Sequence, residues 1–360
     1  MKKNDPKIEL VYIGQKGDQF AELVSKDPNF SHFYTIRAGK FRRYPSDGWK
    51  QFIDVVTFYK NLRDFFFVLI GLFEAYFILR KIKPKIVFSR GGFVSVPVCI
   101  GAHWNKINYI THDSDLIPSL ANRIIAPWAT AHVVAFPIGK YKYKQGITYN
   151  LGIPVDAKFK FVSDAEKNRL RSKLNISQTS KVILVIGGGQ GARDLNNIFI
   201  GITDSLVKNI PDLDIIHIVG KNNYKDAIHK YDKIKAQHKV KILDYTEEVY
   251  AYSGAADLII TRAGATNLAE FAIQGKPLII IPSSYLASGH QIENARFLVQ
   301  SKAALMLNDI TIQKNPDQFE KLIISTINNK KLLKELSHNI AKFANSEASD
   351  KIAKLIINLN

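Results

Sequence analysis

The run Ala256–Ala295, reading ADLIITRAGATNLAEFAIQGKPLIIIPSSYLASGHQIENA, is compatible with few folds. Leu258–Thr261 is a short apolar run of strand length. It breaks at Arg262-Ala263-Gly264-Ala265-Thr266, where glycine and threonine can turn the chain and cap a helix. A helix from Asn267 to Ile273 follows, stopping at Gly275 with Pro277 just beyond. Leu278–Ile281 is a second buried strand, closed by Pro282. Strand, turn, helix and strand in this order are the building block of a parallel sheet.

In such a unit ligands bind outside the carboxyl ends of the strands. The helix starting near Ala265-Thr266 offers free N–H groups and a positive dipole end to a phosphate. Glu270, about one turn in, can accept hydrogen bonds from ribose hydroxyls, or it can simply solvate a helix.

A chain of 360 residues, 46% hydrophobic and 23% charged, is long enough for two globular domains. One cysteine, Cys99, excludes a disulfide framework and fits a reducing compartment. The start MKKNDPKIEL lacks the apolar core of a signal peptide. A net charge of +18 calls for an anionic partner: a phosphorylated substrate, an anionic membrane or nucleic acid. No zinc spacing, helix-turn-helix or RNP-type motif is present, so no nucleic-acid partner is expected.

Taken in order, Ile8–Ile13 and His32–Ile36 are strands flanking a helix from Gln19 to Ser25. Arg37-Ala38-Gly39-Lys40-Phe41-Arg42-Arg43-Tyr44 is a basic loop with two aromatics, suited to a membrane or a phosphate. Tyr59–Arg80 is the most hydrophobic stretch. Asp64 and Glu74 leave nine uncharged residues between them, too few to span a bilayer. A buried core helix is the commoner form of such a stretch. An interfacial helix rimmed by Lys60, Arg63, Arg80, Lys81 and Lys83 is the other.

Lys85–Phe88 runs into Ser89-Arg90-Gly91-Gly92-Phe93, where paired glycines let backbone N–H groups approach a ligand. Asn108–Ile110 ends in Thr111-His112-Asp113-Ser114-Asp115. His112 and Asp113 are there candidates for acid–base work, and helix capping is the bland alternative. Asp164–Ser180 reads as a polar connector. Val182–Ile186 feeds Gly187-Gly188-Gly189-Gln190-Gly191-Ala192, an approximation to the dinucleotide fingerprint. Asp214–Val219 and Lys239–Leu243 are further strands, and the chain from Lys321 onward is helical.

Two segments, Arg262-Ala263-Gly264-Ala265-Thr266-Asn267-Leu268-Ala269-Glu270 and His290-Gln291-Ile292-Glu293-Asn294-Ala295, resemble the donor site of the GT-B nucleotide-sugar glycosyltransferases. Within them the chain resembles glycosyltransferase family 28, the MurG-like UDP-N-acetylglucosamine transferases of lipid II synthesis. The fold implied is α/β, two Rossmann-like doubly wound parallel-sheet domains with an interdomain cleft. The expected limits are 1–158 for the acceptor and membrane side, 159–345 for the UDP-sugar side, and 346–360 for a helix returning to the first domain.

The resemblance implies donor contacts at Gly188, Gly189, Gln190, Gly191, Thr246, Ala265, Thr266, Asn267, Leu268, Ala269, Glu270, His290 and Gln291. It implies acceptor-side contacts at Gly91, Gly92, Phe93, Asp115 and Asn122. Tyr245 lies in the segment that recognises uracil in this family, where it can stack on the base or pack in the core. Departures are Gly189 for a hydroxyl residue, Asp115 in the segment that reads His-Glu-Gln-Asn, and Asp156 where the family has an arginine that reaches the nucleotide.

The family also begins with a strand, a glycine-rich loop bearing the favoured catalytic histidine, and a helix. Residues 1–14 do not match them. The start is therefore misassigned, or the loop comes from another chain, or the chain is a diverged relative, and the catalytic base is unassigned. The activity implied is inverting transfer of N-acetylglucosamine from UDP-GlcNAc to lipid I, with no cofactor or metal, on the cytoplasmic face of the cell membrane. Rival expectations are another nucleotide sugar and lipid acceptor, or a non-catalytic nucleotide-sugar-binding subunit.

Overall fold

The computed structural model describes residues 6–17, 21–40, 55–188, 192–284 and 289–359. The chain divides into two compact units, Met1–Ile153 with Glu347–Asn360, and Pro154–Ser346.

The first unit holds a parallel pair, β1 (Leu10–Gln15) and β2 (Phe30–Ile36), and a four-stranded parallel sheet. That sheet has the order β3 (Ile86–Ser89), β4 (Asn108–Asp113), β5 (Ala131–Val134), β6 (Thr148–Asn150). Ile352 and Ile356 of helix Ala348–Asn358 pack on Ile110, Ala131 and Val133 of this sheet. On its other side Tyr109 meets Leu79, Val98, Cys99 and Ile125 from three helices.

Helix Val55–Ile82 has its faces reversed from the core-helix expectation. It buries Thr57, Asp64, Ala75 and Leu79, mostly small or polar, while Phe58, Tyr59, Leu62, Phe65, Phe66, Leu69, Ile70, Phe73 and Phe77 are exposed. Their spacing of three and four residues lines one continuous helix face. The buried face is small because backbone reaches it. A Cβ on Gly71 would overlap the Arg37 carbonyl, and one on Gly39 would overlap the Asp64 carbonyl. Glu74 completes the joint by accepting the Arg37 N–H at 2.6 Å. The described part of the basic loop, Arg37–Lys40, thus lies against the aromatic helix. Phe41–Tyr44 fall outside the described residues.

The second unit is built on a six-stranded parallel sheet. Its strands are β7 (Lys181–Ile186), β8 (Leu213–Ile218), β9 (Val240–Leu243), β10 (Leu258–Thr261), β11 (Leu278–Ile280) and β12 (Leu305–Met306), in the spatial order β12-β11-β10-β7-β8-β9. The chain winds outward from β7 to β9, then restarts at β10 on the other side of β7. This is the doubly wound order, with its switch point between β7 and β10. The continuous apolar runs follow from cover on both faces. Val182, Leu184 and Ile186 enter one core while Ile183 and Val185 enter the other, and Leu278 to Ile281 divide the same way.

The segment expected as a polar connector is a helix, Asp164–Leu174. The Ser163 hydroxyl accepts the Glu166 N–H at 3.2 Å, and Asn175 closes the helix in the left-handed conformation. Ser163-x-x-Glu166 is the capping pattern that announces such a helix from sequence. The helix carries buried Arg171, which donates to the Ala255 and Ser180 carbonyls at 3.0 and 2.9 Å and to Asp257 at 2.7 Å. Asp257 also accepts the Val182 N–H at 2.8 Å, so one carboxylate joins the helix to the start of β7.

Candidate functional site

Strand register decides which loops of the second unit meet. Thr261 pairs with Ile186 on one side and Ile280 on the other, while Ile186 pairs with Ile218, and Ile218 with Leu243. The segments leaving these strands therefore form a row at the carboxyl edge: Ile281–Ser284, Arg262–Gly264, Gly187–Gly188, Gly220–Asn223 and Asp244–Glu248. Two motifs some seventy residues apart in the chain, around Gly188 and Gly264, become neighbours at the switch point.

Helix Ala265–Gln274 begins there with Gly264 as its N-cap and no side-chain cap, and ends on left-handed Gly275. Its first N–H groups face the carboxyl edge. Thr266 is exposed and Asn267 half-buried, whereas Leu268 is buried in the core beside Phe271 and Ala272. Only the backbone of Leu268 can serve a ligand. Helix Arg193–Asn209 also starts without a side-chain cap, at Ala192. Gly188 is left-handed at φ +89°, and among the described residues nothing lies within 4 Å of the place of a Cβ. Gly189, Gln190 and Gly191 lie outside the described residues.

Glu270 is half-buried, and burial raises its carboxyl to about 7, with the Asp156 charge adding to the rise. Thr246 turns its hydroxyl inward to accept the Glu248 N–H at 3.0 Å. Tyr245 is exposed, so the core-packing alternative does not hold, and Lys221 Nζ sits 4.8 Å from its ring centroid. His290 opens helix His290–Gln300 after left-handed Gly289. Gln291 Oε1 accepts the Ser283 N–H at 3.0 Å, holding the exit of β11.

Several motif residues brace the edge instead of facing it. Arg262 is buried, donating to the Ile281 carbonyl at 3.1 Å and to Asp309 at 3.3 Å, and Asp309 also accepts from the backbone and hydroxyl of Ser284. Asn196 donates to the Val219 carbonyl at 2.9 Å and meets His217 at 3.1 Å, while the other nitrogen of His217 meets Tyr231 at 2.7 Å. Sequence spacing cannot show these bracing roles, because Asp309, Ser284, His217 and Tyr231 come from other segments.

In the first unit, the register Ser89 to Thr111 sets Gly91-Gly92 beside the end of β4. His112 and Asp113 are both buried and committed. His112 Nε2 donates to the Gly152 carbonyl at 3.0 Å, and burial lowers the ring to about 4. Asp113 accepts the Ser119 N–H at 3.2 Å and the Tyr143 hydroxyl at 2.7 Å. Both side chains are thus held by hydrogen bonds within the first unit. Asn122 donates to the His112 carbonyl at 2.9 Å and lies against left-handed Gly91. Gly92 is also left-handed, Phe93 follows it, and the Asp115 carbonyl accepts the Tyr141 hydroxyl at 3.0 Å. Among the described residues no cluster of three or more His, Cys, Asp or Glu side chains is placed to hold a metal.

Residues 182–354 match the glycosyltransferase family 28 C-terminal domain, and residues 1–134 the N-terminal domain of the same family. A Clostridium botulinum protein named UDP-N-acetylglucosamine--N-acetylmuramyl-(pentapeptide) pyrophosphoryl-undecaprenol N-acetylglucosamine transferase is 36% identical over 353 residues, 97% of this chain and 88% of the relative. This chain belongs to glycosyltransferase family 28. A like-named Borrelia garinii protein is 30% identical across 99% of the chain and 90% of its own length. Acinetobacter baumannii MurG has the same fold, with a TM-score of 0.75 at 22% identity over 99% of this chain and 93% of that one. In this family 28 glycosyltransferase the GT-B expectation of two parallel-sheet α/β domains holds.

Proposed function

We infer that this chain transfers N-acetylglucosamine from UDP-N-acetylglucosamine to lipid I, undecaprenyl-diphospho-MurNAc-pentapeptide. The observation that carries this is the row of donor segments at one sheet edge, in a chain whose near-full-length relatives bear that transferase name. Uncapped helix starts at Gly264 and Ala192 flank the switch point, where they stabilise the charge that grows on a leaving diphosphate. Glu270 accepts hydrogen bonds from the ribose, and Tyr245 offers its open ring face to the base. Inverting transfer also needs a base for the acceptor hydroxyl. His112 and Asp113, held in structural bonds, are not assigned that role.

The test is a product assay with lipid I and UDP-N-acetylglucosamine, run beside UDP-glucose and UDP-N-acetylgalactosamine. Disaccharide-pentapeptide product from the first donor alone is expected. Product from another donor would redirect the assignment. Donor binding without product from any of them would favour a binding subunit.

The exposed aromatic face of helix Val55–Ile82 supports seating on the membrane that carries such an acceptor. Tyr59 is 70% and Phe73 64% exposed, with Lys60, Arg63, Arg80 and Lys81 on the same helix. Among the described residues no helix is long and apolar enough to cross a membrane. The helix is therefore suited to lie in the interface, with basic side chains on anionic headgroups at about 1 kcal/mol each. Co-sedimentation with neutral and anionic vesicles tests this, and equal binding to both would remove the electrostatic part.

A further inference from the structure

Lys221 leaves β8 between two of the donor segments. Ile218 pairs with Ile186 of β7 on one side and with Leu243 of β9 on the other, and the Val219 N–H donates to the Leu243 carbonyl at 2.9 Å. Neighbouring strands lie about 4.8 Å apart, so the exit of β8 is one strand spacing from Gly187-Gly188 and one from Asp244-Tyr245. Left-handed Gly220, at φ +87°, turns the chain there into a short helical turn, Lys221–Asn223. Asn223 fixes this turn: its N–H donates to the Gly220 carbonyl at 3.0 Å and its Nδ2 to the Val219 carbonyl at 3.0 Å. The Lys221 side chain is thus carried on a fixed backbone, with Nζ 4.8 Å from the Tyr245 ring centroid.

Of the two cations in the row of edge segments, Arg262 is buried against Asp309 and Lys221 is exposed. The acids beside Tyr245 are engaged elsewhere: Glu248 pairs with Lys173, and Asp244 Oδ1 accepts the Tyr245 N–H at 2.7 Å. Among the described residues no acid lies within ion-pair distance of Lys221, and an exposed ring is a weak partner for an ammonium.

We propose that Lys221 is a ligand of the donor diphosphate. The proposal rests on the donor reading above, and it names the side chain that makes this edge take a nucleoside diphosphate in preference to a nucleoside. A nucleotide with its base on Tyr245 and its diphosphate at the uncapped helix starts by Gly264 and Ala192 passes Lys221 between the two. The ammonium, a compact charge on a flexible four-carbon stem, then exchanges the ring for phosphate oxygens. A charge-assisted hydrogen bond replaces an exposed cation–π contact, and no covalent bond changes. The helix starts bring partial charges to the diphosphate, and Lys221 brings a whole one.

The experiment is calorimetric titration of the full chain with UDP-N-acetylglucosamine at low and high salt, beside titration with uridine at millimolar concentration followed by ligand NMR. Lys221→Gln should bind the sugar nucleotide about tenfold more weakly at low salt. The loss should shrink at high salt, where the missing interaction is screened in any case, and uridine binding should equal that of the wild type. Lys221→Arg, which keeps the charge, should restore most of the affinity. Equal weakening of uridine and sugar nucleotide would mean that Lys221 only supports the Tyr245 ring, which overturns the proposal. A loss of the same size at both salt concentrations overturns it too. Lys221→Gln binding the sugar nucleotide as the wild type does also overturns it and leaves the donor reading standing. No binding of the sugar nucleotide by the wild type overturns both.

Discussion

Asn294 Nδ2 donates to the Ala263 carbonyl at 3.2 Å, both residues being buried, and so joins the helix of the second donor motif to the turn of the first. Asn294→Leu should leave that carbonyl without its partner. The expected loss is about 1–3 kcal/mol of stability, read by urea denaturation, with weaker UDP-N-acetylglucosamine binding in the fraction that stays folded. An unchanged midpoint would show that the bond contributes nothing.

Arg262 and Asp309 form a buried ion pair at 3.3 Å, supported by Ser284. Removing one partner strands the other charge, so Asp309→Ala should cost about 3–5 kcal/mol. The double variant Arg262→Met with Asp309→Leu should recover much of this loss. Equal losses in the single and double variants would contradict the pairing.

Gly71 faces the Arg37 carbonyl with no room for a side chain. Gly71→Ala should destabilise the first unit by about 1–3 kcal/mol, visible as a lower thermal midpoint, while Gly146→Ala, at an open position, should not.

Phe73→Asp and Phe77→Asp replace exposed residues, so stability should move by no more than about 0.5 kcal/mol. Vesicle binding should drop severalfold. Vesicle binding equal to wild type would exclude this helix from the membrane surface.

Burial holds His112 and His132 near 4 and His217 near 3, below the ordinary histidine value of 6.5. Their folded forms resist protonation that the unfolded chain accepts. Stability should therefore be fully present above about pH 6.5 and fall as pH drops towards 4, by up to ~1.4 kcal/mol per pH unit for each histidine. Denaturation midpoints at pH 7, 6 and 5 check this, and His217→Gln should flatten the slope.

The strands, the parallel sheet and the Ala256–Ala295 unit were legible in sequence because their signals are local: apolar runs of strand length, a capping turn, and a glycine stop. The capped helix at Asp164–Leu174 was equally local, and a Lys-rich composition hid it. Faces and partners were not legible. The aromatic stretch of helix Val55–Ile82 reads the same whether its side chains point inward or outward. Only the close backbone contacts at Gly39 and Gly71 turn them out. Arg262 reads only as the start of a turn, and its burial against Asp309, forty-seven positions on, is not visible in the sequence. Glu270 reads as an ordinary carboxylate until Asp156 and burial change it. Sequence by itself determined the elements and the family, since both rest on short-range pattern. Tertiary structure decided which polar groups brace the site and which stay free, because burial and pairing depend on residues far apart in the chain.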